Sequence, residues 1–197
     1  GQYDFPEKKL TAKHFEHSDS TLPKVFISEL RVEEFPADVQ AIIHGLVKQL
    51  PDSISEQANF LYSGRTWQVS SNEYKTLLKA SEYAAWLAAW GYRANHFTVS
   101  INHLNKFDEI TEVNATLKKS GYHLNTAGGE IKGNLAVMLE QSSTLADNAK
   151  VEFSDKTMEI PSCFYEFAKR YPQENGELYS GFVAASADKI FESTHAA

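Results

Sequence analysis

Between residues 95 and 103 the chain alternates. Phe97, Val99 and Ile101 are apolar, while His96, Thr98, Ser100 and Asn102 are polar. A period of two predicts a strand over 94–103 with one apolar face. A helical pattern follows over 107–119, with Ile110, Val113 and Leu117 on one face. Lys118 and Lys119 complement its C-terminal dipole and Gly121 closes it. Three more strands are predicted over 121–125, 135–142 and 162–170, with Gly128-Gly129 turning the chain between the first two. A short hairpin or loop excursion is expected over 148–159. Residues 93–171 thus read β-α-β-β-β.

Upstream, two β-like runs cover 10–17 and 25–32, separated by the turn-rich Ser18-Asp19-Ser20-Thr21-Leu22-Pro23. A helix is predicted over 37–50, entered at Pro36, with Ile42, Ile43, Leu46, Val47 and Leu50 on one face. A second, single helix is predicted over 72–90, with Ser70-Ser71-Asn72 as its capping region and Gly91 as its stop. The opening Gly1-Gln2-Tyr3-Asp4-Phe5 has no helix or strand lead-in, and an N-terminal strand and helix are expected to be missing before it. With those restored, 1–92 would be the rest of a βαβββ-like half plus helices, and 93–197 a second module with a C-terminal segment. The expected fold class is α+β, one compact domain of paired βαβββ modules forming a curved mixed sheet. A faint echo supports the pairing: Val25-Phe26-Ile27-Ser28-Glu29-Leu30 and Ser162-Cys163-Phe164-Tyr165-Glu166-Phe167 are both apolar strands interrupted by a glutamate.

Composition narrows the function. With 197 residues, 42% of them hydrophobic, the chain can build a real core. A net charge of -7 and the absence of any Lys/Arg-rich block argue against a nucleic-acid partner. No apolar run reaches the roughly 18 residues of a membrane span. The single cysteine, Cys163, rules out a disulfide within the chain and favours a cytoplasmic location.

Glu166 is the residue that most needs a partner. It sits within Cys163-Phe164-Tyr165-Glu166-Phe167-Ala168, where a carboxylate is expected to be partly buried. A buried, unpaired carboxylate is costly. Arg170 or Arg93 could pair with it, or a divalent metal could, with His96 beside it. The alternative is that the polar face of His96, Thr98 and Ser100 simply faces water. Imidazole and carboxylate with open positions suit Fe(II), Mn(II) or Zn(II). His14 and His17 read as surface residues, and His103 as structural. Glu29 is open between a pseudo-symmetric ligand, a group behind a ligand and an ion-pair partner. No nucleophile elbow, phosphate loop or dinucleotide fingerprint is present.

Several segments, in order, resemble the DUF1338 family. They are Tyr3-Asp4-Phe5-Pro6, Phe26-Ile27-Ser28-Glu29-Leu30, Asn95-His96-Phe97-Thr98, Ile160-Pro161-Ser162-Cys163-Phe164-Tyr165-Glu166-Phe167, and Gly181-Phe182-Val183-Ala184-Ala185-Ser186-Ala187-Asp188-Lys189-Ile190-Phe191. The family includes the 2-oxoadipate dioxygenase/decarboxylases, relatives of the vicinal-oxygen-chelate (glyoxalase-like) enzymes, and this chain resembles its shorter branch. The resemblance implies Fe(II) held by two histidines and a glutamate. The second histidine would be His96 and the glutamate Glu166. The first histidine belongs to an Asp-His-x-x-x-Arg strand, whose arginine grips a substrate carboxylate; no such motif occurs here, and it is expected upstream of Gly1. Phe182 and Ser186 lie in a stretch similar to one that borders the family's substrate pocket, and Thr98, Ser100 and Glu29 are further pocket candidates. The implied activity is Fe(II)-dependent oxygenation and decarboxylation of a small 2-oxo acid, 2-oxoadipate-like, with O2, giving a 2-hydroxy acid and CO2. A metal-dependent isomerase, lyase or hydrolase, or a non-catalytic binding protein, are the other readings of the same scaffold.

Overall fold

The computed structural model describes residues 1–19, 21–183 and 192–194. By internal contacts the chain forms two units: Gly1–Arg93 with Lys150–Met158, and Ala94–Ala149 with the chain from Glu159 onward.

The first unit opens with a three-stranded antiparallel sheet of β1 (Gln2–Phe5), β2 (Leu10–Phe15) and β3 (Val25–Leu30), in that order. The expectation of no strand at the start is thereby corrected: Gln2 to Phe5 pair with Lys13 to Leu10. Helix α1 (Ala37–Val47) begins after Pro36. The helix expected over 72–90 is two helices, α2 (Ser71–Ala80) and α3 (Glu82–Trp90). Ser81 breaks it. Its backbone is extended (φ -163°, ψ 119°), its N–H closes α2 on the Leu77 carbonyl, and its hydroxyl accepts from Ala84 N to start α3. The helix formers on either side hid a serine that caps better than it propagates. At the start of α2, Ser70 and Glu73 form a reciprocal capping box. The small residues Ala84, Ala85, Ala88 and Ala89 are all buried, and Trp67 donates from Nε1 to the Ala88 carbonyl at 2.9 Å.

Gly91 ends α3 at φ 74°, ψ -158°, and an added Cβ would lie 2.3 Å from the Arg65 backbone. Both the conformation and the space require glycine. Gly91→Ala is expected to destabilise the protein by about 1–3 kcal/mol or more. The check is the thermal melting temperature, and an unchanged value would contradict this reading of the turn.

A hairpin of β7 (Asn148–Glu152) and β8 (Thr157–Pro161) matches the excursion expected over 148–159. Its tip belongs to the first unit. There Ser71 donates from N and Oγ to the two Asp155 oxygens, each at 2.6 Å, and Ser154 N donates to the Val69 carbonyl.

The second unit is the β-α-β-β-β module. Strand β4 (His96–Ser100) leads to α4 (Ile110–Lys119), then β5 (Lys132–Asn134), β6 (Leu139–Ser143) and, after the hairpin, β9 (Phe164–Arg170). The sheet order is β4-β9-β6-β5, with β4 and β9 parallel and the other pairs antiparallel. Gly121, at φ 88°, closes α4 as expected. The strand expected over 121–125 is reduced to one bridge, Leu124 to Thr144, and β5 takes its place at the sheet edge. Asn125 Oδ1 accepts from Ala127 N and turns the chain away. The predicted run over 135–142 starts late, because Leu135–Val137 is a 3-10 turn and Met138 is left-handed at φ 58°.

That turn reveals the repeat. In the first unit, β1 is followed by the 3-10 turn Pro6–Lys8 and the left-handed Lys9 at φ 53°. The register then matches strand for strand. Leu10 pairs with Phe5 and Leu30, while Leu139 pairs with Asn134 and Arg170. Four residues on, His14 pairs with Phe26 and Ser143 with Glu166. The echo of Glu29 with Glu166 is therefore overturned: Phe26 occupies the place of Glu166, and Glu29 that of Lys169, on the opposite face of its sheet.

Candidate metal centre

In the second sheet, β9 lies between β4 and β6. Thr98 pairs with Glu166 and Glu166 with Ser143; Ala168 pairs with Gln141 and Gln141 with Lys132. Alternation puts His96, Thr98 and Ser100 on the same face as Glu166, Gln141, Ser143 and Lys132. On the other face Val99 and Phe167 join Ile101, Ile110 and Val113 in a core under α4. The apolar residues thus carry the fold and leave the polar face for chemistry. The apolar side is not buried throughout, since Phe97 is 60% and Tyr165 54% exposed, with ring centroids 6.2 Å apart.

Glu166 is only 2% exposed. Its Oε1 accepts from Gln141 Nε2 at 2.5 Å, and the Thr98 hydroxyl also bonds the carboxylate. Burial pushes its pKa up to about 7, although these bonds and the charges of Arg170 and Lys132 act to lower it. His96 Nε2 stands 3.7 Å from Glu166 Oε2. The imidazole stacks on Phe164 at 4.9 Å and 16°, and its Nδ1 lies 3.1 Å from Asn95 Oδ1. Desolvation brings His96 down to about 4 and keeps it neutral at pH 7, even though 31% of its side chain still meets solvent.

The other candidates are distributed as follows. Thr98 is at the pair; Ser100 lies one step along the same face and bonds His103 Nδ1 at 2.8 Å. Phe182 packs on the Arg170 guanidinium, 5.4 Å from its ring centre, while Arg170 Nη1 donates to the carbonyls of Tyr179 and Gly181. Glu29 belongs to the first unit, exposed on β3 opposite Thr11. Ser186 lies outside the described residues. The expected ion-pair alternatives are also placed: Arg93 sits over the Trp90 ring, in the first unit.

Sequence reasoning missed a buried polar network on this face. Lys132, 6% exposed, donates to the Asn125 carbonyl at 2.8 Å; Asn125 Nδ2 donates to Ser193 Oγ; and Ser193 Oγ bonds Ser143 Oγ. The sequence carries one signal, the polar run from Glu140 to Thr144 between Leu139 and Leu145, of which Gln141, Ser142, Ser143 and Thr144 are buried.

The His96–Glu166 pair has the form of a cation site. Asn95 Oδ1 can only accept, so Nδ1 carries the imidazole proton and Nε2 offers a lone pair. Nε2 lies 3.7 Å from Glu166 Oε2, a gap too long for a hydrogen bond. A divalent cation, if bound here, would be held by His96 and Glu166. Among the described residues, no group of three or more His, Cys, Asp or Glu side chains converges in this way.

The model of the 2-oxoadipate dioxygenase/decarboxylase family matches residues 52–176, more than half of the chain. The chloroplastic 2-oxoadipate dioxygenase/decarboxylase of Arabidopsis thaliana is 36% identical over 219 residues, covering 96% of this chain and 58% of the relative. The chain thus spans under two thirds of the length of the plant relatives it matches. A crystal structure of a suggested hydrolase from Shewanella frigidimarina is 60% identical, with a TM-score of 0.91 over 93% of this chain and 72% of that one. The hydroxyglutarate synthase of Oryza sativa, solved in complex with 2-oxoadipate, is 33% identical, with a TM-score of 0.84 over 98% of this chain and 70% of that one. A glyoxalase-superfamily structure from Ralstonia eutropha, 18% identical with a TM-score of 0.67 over 93% of this chain and 64% of that one, shares the fold. The expected resemblance and the glyoxalase-like α+β architecture are both borne out, and the chain belongs to the 2-oxoadipate dioxygenase/decarboxylase family.

Proposed function

We propose that this protein is an Fe(II)-dependent oxygenase and decarboxylase that converts a 2-oxoadipate-like 2-oxo acid and O2 into a 2-hydroxy acid and CO2, with His96 and Glu166 as two of its metal ligands. The observation that carries the reading is the buried Glu166 Oε2 standing 3.7 Å from His96 Nε2. The names of the Arabidopsis and rice relatives support the substrate class and the product.

When bound, ferrous iron supplies a site at which the 2-oxo acid can chelate and O2 can be activated. Mn(II) and Zn(II) suit the same two donors. The chain's own residues do the rest. Glu166 supplies negative charge from a dry position, where it acts most strongly on a cation. His96 is held neutral and oriented by Asn95 and Phe164, so its Nε2 is available without first losing a proton. Thr98 and Ser100 give the same face hydroxyl groups for a polar ligand, and Phe182 on Arg170 gives that unit an apolar surface beside a fixed cation. The single cysteine fits a reducing compartment such as the cytoplasm. Among the described residues no helix is long and apolar enough to cross a membrane.

The test is to supply the full-length protein with Fe(II), O2 and 2-oxoadipate under otherwise anaerobic handling. One O2 consumed for each CO2 released is the expected result. Metal-dependent turnover without O2 uptake would replace the oxygenase reading with the hydrolase or lyase one, for which the Shewanella structure's suggested activity is the motive.

A further inference from the structure

We propose that Gln141 is a positioning residue that presents Glu166 to the cation; the inference rests on the metal-binding reading above. Gln141 is 4% exposed, on β6, and donates from Nε2 to Glu166 Oε1 at 2.5 Å. With Oε1 tied on that side, Oε2 is the oxygen turned toward His96. The carboxylate can no longer rotate to offer either oxygen in several directions, so one donor atom is fixed before any metal arrives.

Two features argue that the amide serves this bond and not packing alone. First, Gln141 Oε1 is buried with no hydrogen-bond partner among the described residues. A buried acceptor left unpaired is costly, and an apolar side chain of the same length would avoid that cost. Second, the donor is neutral. A lysine or arginine donating from this position would share the carboxylate's charge and weaken its hold on a cation. The cation nearest in register, Lys132, is instead bonded to the Asn125 carbonyl within the Asn125–Ser193–Ser143 network. Gln141 thus orders Glu166 while leaving its charge for the metal.

The experiment titrates wild-type protein, Gln141→Met, Gln141→Glu and Glu166→Gln with Mn(II), counting free ion by electron paramagnetic resonance, and records a thermal melt of each. Gln141→Met keeps the length and removes the donor; Gln141→Glu keeps the shape and turns the donor into a repelling acceptor. Both are expected to bind Mn(II) about 10–100-fold more weakly than wild type. Gln141→Met removes the unpaired acceptor but also leaves Glu166 Oε1 without its donor, so the melt reports whether the variant folds and the titration reports the positioning. Should Gln141→Met fail to fold, the Gln141→Glu titration decides. Wild-type affinity in the folded Gln141 variants, with binding lost in Glu166→Gln, would overturn the positioning role and leave the metal reading intact. Wild-type affinity in Glu166→Gln as well would overturn the metal reading itself.

Discussion

Replacing Glu166 by Gln is expected to make the metal-free protein more stable at pH 8 while removing its capacity for metal. In the unfolded chain this carboxyl ionises near its ordinary value of 4.5; in the fold, burial keeps the proton on until about pH 7. Between those values the folded state holds a proton that the unfolded state has released. Stability therefore falls as pH rises through that window and stays lowered above it. The difference corresponds to about 3 kcal/mol, an upper figure for a carboxylate this deeply desolvated. Gln carries no such penalty and still accepts the Gln141 hydrogen bond. The gain from Glu166→Gln should thus grow from near zero around pH 4.5 to its full size above pH 7. His96 acts in the other direction. Its folded value is lowered to about 4 from 6.5, so its contribution is present above 6.5 and is lost as pH falls toward 4. Where the two windows overlap the effects oppose each other, and only the comparison of variant with wild type isolates Glu166. Urea unfolding with a chelator at pH 5 and pH 8 measures it. A variant less stable than wild type at pH 8 would show that Glu166 is held by compensating partners and is no cost to the fold.

The same residue shows what could be read from the sequence. His96 and Glu166 were legible as a pair because each lies on a strand whose alternation fixes its face, and because the flanking Tyr165 and Phe167 imply burial. The helix α4 and its closing Gly121 were legible from period and cap. The pairing of two modules was expected, but the register of that internal repeat was not legible. Its signature is a backbone conformation, left-handed Lys9 and Met138 after short 3-10 turns, and neither residue type announces φ > 0. Matching glutamates by eye therefore set Glu29 against Glu166, three residues out of register. Strand β1 was missed because four residues give too little period to detect. Strand β5, Lys132-Gly133-Asn134, lacks every β-favouring side chain. It has glycine because a Cβ at Gly133 would lie 2.1 Å from the Leu139 carbonyl. The polar network failed to show for another reason: Lys132, Asn125 and Ser193 come from an edge strand, a turn and a distant segment, and only the folded sheet assembles them.

His96→Ala is expected to lower divalent-metal affinity by on the order of 100-fold or more, because loss of a direct ligand should exceed the 10–100-fold typical of its supporting groups. The fold should survive. His96 is on β4 with nearly a third of its side chain in solvent, and its neighbours are a stacked Phe164 ring and the Asn95 amide. Its truncation leaves no buried charge, since Glu166 without metal is protonated up to about pH 7 and keeps its Gln141 bond. The partial exposure adds a second readout. A small imidazole from solution can enter the space vacated by the ring and offer the same lone pair, so metal content should fall well below wild type in the variant and recover in part with added imidazole. In Glu166→Gln imidazole should restore nothing, as its missing donor is an anion in a dry position. Wild-type metal content in His96→Ala would mean that the cation is held elsewhere, and imidazole rescue of both variants alike would mean that the added ligand binds metal in solution and not at this face.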